Sequence, residues 1–97
     1  MSDDSSFEPF EILKHRLQNY ANVNAYDLAA LKSNLERQGN EEVRAIFWRE
    51  LDATIAGDGV TRHAFEALTE GEFEDDADYV AFLSALRAYV FEGGPLP

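Results

Sequence analysis

The sequence predicts an all-α protein, a compact bundle of four to five helices, on three observations. Apolar residues recur at three- and four-residue spacing along most of the chain. Alternation of polar and apolar residues over four or more positions is absent outside those segments. Asn, Thr, Asp and Gly stand where helix starts and stops need them. Ninety-seven residues make one domain, 1–97, able to bury roughly 60 to 65% of the surface that the unfolded chain exposes. With 45% apolar residues, including seven Phe and four Tyr, its core needs neither disulfide nor metal. Residues 1–5 are expected to be a disordered start and residues 94–97 a frayed end.

The first helix comes from "FEPFEILKHRLQNYA", which sets Phe10, Leu13, Leu17 and Tyr20 on one face, with Pro9 in the first turn where proline is tolerated. Ile12 falls off that stripe, and Lys14, His15 and Arg16 make the outer face basic. In "NVNAYDLAALKSNLERQG" Asn24 reads as the N-cap, Asp27 takes the capping-box position, and Gly39 is the stop. The stripe Leu28, Leu31 and Leu35 is thin, so one side is packed and the rest wet. Asn40 caps a third helix, whose Glu41 and Glu42 suit the positive end of the helix dipole. Val43, Phe47, Leu51 and Ile55 run down its inner face, flanked by Ile46. "GDG" at 57–59 is a turn. Thr61 then caps a short helix through Leu68 with Ala64, Phe65 and Leu68 inward.

The last helix is expected from Asp76 to about Glu92, capped by Asp75 and closed by Gly93 and Gly94. Eleven of the thirteen residues from Tyr79 to Phe91 are apolar. One face collects Tyr79, Phe82, Leu83, Leu86 and Val90, and the opposite side is the small set Ala81, Ala85 and Ala88. A helix apolar all round is buried all round or gives a face to another molecule. Burial at the centre of the bundle is the expectation; the alternative makes the alanine side a homodimer surface.

Charge is concentrated rather than spread. Residues 1–40 carry six acids and four bases (−2), whereas residues 41–97 carry thirteen acids and four bases (−9), which together give the net −11. Such a chain repels phosphate backbones and anionic membrane surfaces, which argues against direct nucleic-acid binding and for a basic protein partner. General acidity suited to a salty cytoplasm is the competing explanation. There is no cysteine, so disulfides, thiolate metal sites and thiol nucleophiles are excluded. "MSDDSS" lacks the basic and apolar regions of a secretory signal, and no run approaches the ~18 apolar residues of a membrane span. The expected location is the cytoplasm.

No catalytic, cofactor or metal site is expected. His15 and His63 each stand beside an arginine, and His63 with Glu66 supplies only two ligands. "GDGVTRHAFE" fails as a calcium loop, because setting Gly59 at the turn position puts Thr54, Ala56 and Phe65 where carboxylates are required.

The most informative stretch is "EGEFEDDAD", which packs Glu70, Glu72, Glu74, Asp75, Asp76 and Asp78 into nine positions with no base. The three aspartates suit a helix N-terminus, each contributing ~0.3 to 1 kcal/mol. The three glutamates precede that helix, and their mutual repulsion is tolerable if a cationic surface neutralises it. Phe73, among them, reads as a core anchor or an aromatic contact. Trp48 lies about 80° from the centre of its helix stripe, on the rim of the core. With Tyr79, these two complete the expected partner-binding set.

A small, cysteine-free, acidic helical protein with such a loop resembles the immunity proteins that bacteria make against their own nuclease toxins. The resemblance lies in size, charge and helix content, with "EGEFEDDAD" as the counterpart of their acidic faces. It implies an immunity or antitoxin-type inhibitor that occludes a basic toxin domain and has no activity of its own. A self-associating adaptor domain and a nucleic-acid mimic remain as alternatives.

Overall fold

A computed structural model describes residues 10–24 and 26–97. The expectations for Pro9 and for residues 1–5 lie outside them. Five helices follow in order, α1 Glu11–Tyr20, α2 Leu28–Glu36, α3 Glu41–Ile55, α4 Arg62–Thr69 and α5 Asp76–Glu92, with no strand among the described residues. The all-α expectation is met.

Helix α1 begins after Phe10, whose backbone is left-handed (φ 63°) and whose side chain offers no cap. The missing acceptor comes from another element. Oε1 of Glu50, in α3, accepts from the Leu13 N–H at 2.8 Å. A carboxylate there satisfies an orphan donor and faces the positive end of the α1 dipole. This bond and the buried Leu13 and Leu17 seat α1 on α3.

The start of α2 differs from expectation. Asp27, not Asn24, is the N-cap, with Oδ1 accepting from the Ala30 N–H at 3.0 Å. Asn24 sits in the preceding turn, its N–H bonded to Oδ1 of Asn22 at 2.8 Å. The cause is tertiary. The Val23 N–H donates to the Thr69 carbonyl at 2.9 Å, holding this loop against the end of α4 and postponing the helix. From Leu28 on, the thin stripe behaves as expected, with Leu28, Leu31 and Leu35 buried. Asn40 occupies the N-cap position of α3 but makes no side-chain cap there. Its Nδ2 instead donates to the Asn34 carbonyl at 2.7 Å, closing the α2–α3 turn.

The central helix is α3, not α5. It packs against α1, α2 and α5, and Phe47 and Leu51 are fully enclosed. Helix α5 lies on one flank with Tyr79, Leu83, Leu86 and Val90 buried and Ala81 exposed. An alanine methyl offers little apolar area, so leaving that side partly wet forfeits little hydrophobic free energy. Nor is the alanine side open along its length. The Gly94 N–H bonds to the Ala88 carbonyl at 2.9 Å, and a Cβ on Gly94 would lie 3.1 Å from that of Ala88. Gly94 thus closes the helix together with Gly93, as the sequence suggested. Arg87 pairs with Asp52 and ties α5 to α3.

One hydrogen bond joins the α3–α4 turn to α5, and a second ties it back to α3. The Tyr79 hydroxyl donates to the Val60 carbonyl at 2.7 Å, and the Val60 N–H donates to Oγ1 of the buried Thr54 at 3.1 Å. Gly59 is required beside them, because a Cβ there would lie 2.1 Å from Thr54 Oγ1 and 2.9 Å from its Cα.

Burial pushes the Tyr79 hydroxyl well above the usual tyrosine range. The unfolded chain thus loses this proton first, near pH ~10, and stability falls as pH rises past that value. Tyr79→Phe is expected to cost about 1 kcal/mol in urea denaturation at neutral pH, by orphaning the Val60 carbonyl. It should also flatten the alkaline decline, because Tyr26, raised only by partial desolvation and half-exposed, adds little. An equally steep decline in the variant would contradict this assignment.

Candidate acidic interaction surface

The acidic stretch connects α4 to α5, and the residues at its two ends and centre are fixed by different forces. At the α4 end, the buried Thr69 hydroxyl donates to the Phe65 carbonyl at 2.9 Å and accepts from the Gly71 N–H at 3.2 Å. Glu70 takes the left-handed C-cap conformation (φ 61°) and donates its N–H to the Glu66 carbonyl. For a residue with a Cβ this costs about 1 to 2 kcal/mol. Its carboxylate receives Nδ2 of Asn24 at 3.3 Å, so the α1–α2 loop borders the run.

At the centre, the Phe73 ring packs against Phe65 (5.4 Å between centroids), Tyr79 (5.3 Å) and Phe82 (5.7 Å). Its N–H donates to Oε2 of Glu66 at 2.9 Å. Of its two expected roles, the structure shows the core anchor. With Phe73 turned inward, the flanking Glu72 and Glu74 are exposed.

At the α5 end the aspartates serve the helix start. Asp75 Oδ1 accepts from the Asp78 N–H at 2.8 Å, and Asp78 Oδ2 accepts from the Glu74 N–H at 3.2 Å. Asp76 Oδ1 pairs with Nε of Arg62 at 2.8 Å, and Arg62 also lies 3.6 Å from Glu66. The hydrogen bond to Asp76 is the main reason that the Arg62 guanidinium holds its proton more tightly than usual. Glu72 and Glu74 have no side-chain hydrogen bond or ion pair among the described residues. All six acids are exposed, and the arginine in contact with them is Arg62.

Two expected anchors fall elsewhere. Tyr79 is 4% exposed, with its hydroxyl spent on Val60, and is no protruding anchor on the acidic surface. Trp48 is half-buried with its ring edge-on to Phe91, 4.3 Å between centroids. Phe91 lies near the far end of α5, ~22 Å along the helix axis from Asp76, so Trp48 does not share the acidic surface. The Arg44 guanidinium lies over the Phe91 ring, 4.8 Å from its centroid.

Sequence reasoning missed the contribution of the α1–α2 loop. Val23 and Tyr26 are the large apolar residues most exposed after Leu96, at 53% and 48%. Val23 lies beside Gly71, where a Cβ would meet it at 3.8 Å. The only signal was the apolar Val23, Ala25 and Tyr26 among the polar residues of "NVNAYD". His63 approaches Glu66 at 3.8 Å, but Glu66 is already committed to Arg62 and the Phe73 N–H. Among the described residues no three His, Cys, Asp or Glu side chains are grouped to hold a metal ion, and no helix is long and apolar enough to cross a membrane. No known protein family, curated protein or solved structure matches the chain.

The geometry divides the acids into helix-starting and uncommitted ones, which thermal denaturation distinguishes. Asp75→Ala is expected to cost about 1 kcal/mol. The pair Glu72→Gln and Glu74→Gln should cost nothing and raise stability slightly at low ionic strength, the gain fading as salt screens the repulsion. A loss in the double variant matching that of Asp75→Ala would overturn the division.

Proposed function

We propose that this chain is a non-catalytic acidic module that binds a basic protein, and that it acts as an inhibitor of the immunity or antitoxin type by covering a basic toxin domain. The observation that carries the reading is the anchoring of Phe73 between two exposed, uncommitted glutamates. A structural loop needs the aromatic anchor and the Asp75 cap; it does not need Glu70, Glu72 and Glu74. Their repulsion opposes folding and their charge favours encounter with a cation-rich surface. Val23, exposed at the edge of the run, adds apolar area of the kind that protein interfaces desolvate. A bacterial cytoplasm is the setting this reading implies. Self-association through Ala81, Ala85 and Ala88 has less support, because Gly94 covers part of that side.

The test is to sequence the adjacent upstream gene and, where it encodes a basic C-terminal domain, to measure surface plasmon resonance against that domain at low and at physiological salt. Neutralising Glu70, Glu72 and Glu74 to Gln is expected to slow association about tenfold at low salt and to flatten its salt dependence. Absence of binding, or association that is equally fast and equally salt-dependent in the variant, contradicts the reading.

A further inference from the structure

Where the α3–α4 turn faces the first turn of α5, the chain leaves a cavity of about 210 Å³, with Val60, Tyr79 and Val80 among its walls and Arg62 and Asp76 among its lining. The gap follows from Gly59, which also lines it and whose place beside Thr54 admits no side chain. The inner polar groups are already satisfied, since the Tyr79 hydroxyl is bonded to the Val60 carbonyl and the Val60 N–H to Thr54. What remains among the lining side chains is apolar wall plus one unpaired carboxylate oxygen. Asp76 holds Arg62 through Oδ1, and Oδ2 has no partner among the described residues.

The local field selects the sign of an occupant. Arg62 divides its guanidinium between Asp76 and Glu66. Two carboxylates thus face one cation, which leaves the rim of the cavity net negative and favours a cationic occupant. The shape of the acceptor selects between the two basic side chains. Arginine prefers a carboxylate with both oxygens available to its planar fork, whereas lysine presents a compact ammonium on a four-carbon stem and bonds well to a single oxygen. Such a stem buries its methylenes along apolar walls and keeps its charge at the rim.

We infer that this cavity receives a lysine side chain of the basic partner, its stem against Val60, Tyr79 and Val80 and its ammonium on Oδ2 of Asp76, while Arg62 turns fully to Glu66. This rests on the docking reading above and adds to it a defined point of insertion beside the diffuse charge of the loop.

The probes are the acetylated, methylamidated forms of lysine, arginine and norleucine, titrated at low salt into the full chain and followed by amide NMR shifts. The lysine probe is expected to shift Val60, Thr61 and Asp76 more than the arginine probe does, and the norleucine probe to leave them unmoved. Asp76→Asn should weaken the lysine effect about tenfold, as loss of a charge-assisted hydrogen bond requires. Lysine shifts confined to Glu70, Glu72 and Glu74, shifts of equal size from norleucine, or no shift at all would overturn the inference. Val80→Phe, which fills the cavity, separates it from the docking reading. If that variant keeps its dispersed spectrum and binds the basic partner as tightly as before, while neutralising the three glutamates still slows association, lysine insertion is wrong and docking stands. If Val80→Phe and Asp76→Asn both weaken the complex, insertion is supported.

Discussion

Phe73 stands between Glu72 and Glu74, and its ring leaves water only by packing among Phe65, Tyr79 and Phe82. Aromatic pairs of this kind contribute about 0.5 to 1.5 kcal/mol each beyond the area they bury, and three of them converge on one side chain. That attraction holds a segment which its own charge would otherwise drive off the surface. With the ring turned inward, the flanking Glu72 and Glu74 stand on the solvent side. An acidic loop without such an anchor would be a mobile tether of charge. With it, the backbone carrying the glutamates is held, so the proposed docking would have only their side chains left to order.

Glu66 and Arg62 extend the same constraint. Glu66 accepts the Phe73 N–H and faces Arg62, and Arg62 reaches across to Asp76, so α4, the loop and the start of α5 are joined through two side chains. The link is partly exposed, and its Coulomb energy in water is small. Its importance is geometric: it aligns Asp76 beside the cavity and keeps the sole nearby arginine away from Glu72 and Glu74. Acids that look equivalent in sequence are thereby sorted into a helix cap at Asp75 and Asp78, an ion pair at Asp76, and a forward group at Glu70, Glu72 and Glu74.

Interactions spanning three or four residues were legible in the sequence, and those between distant residues were not. The limits of α5, with Asp75 before and Gly93 after, follow from local capping chemistry, as does Thr61 at the head of α4. Asn24 was a plausible cap on the same grounds, and failed because Val23 is bonded to Thr69 far along the chain. The cap of α1 is supplied by Glu50, 37 residues away, which no local pattern announces. Helix α5 has apolar residues on every side; its large face, Tyr79, Leu83, Leu86 and Val90, is buried as the pattern suggested, whereas the exposure of Ala81 on the small side follows from α3 rather than α5 taking the centre. For the surface, the acidic run was visible as composition, while the burial of Tyr79, the distance of Trp48 and the nearness of Val23 depend on how the helices pack.

Amide relaxation of residues 70–78 tests the central claim most directly, comparing the native chain with Phe73→Ala. If the ring holds the carboxylates in place, order parameters across this segment match those of the helices, near ~0.85, and in the variant fall below about 0.6 while α1, α2 and α3 keep theirs. Low order in the native segment, or an unchanged profile in Phe73→Ala, would show that the acids are not held by this anchor.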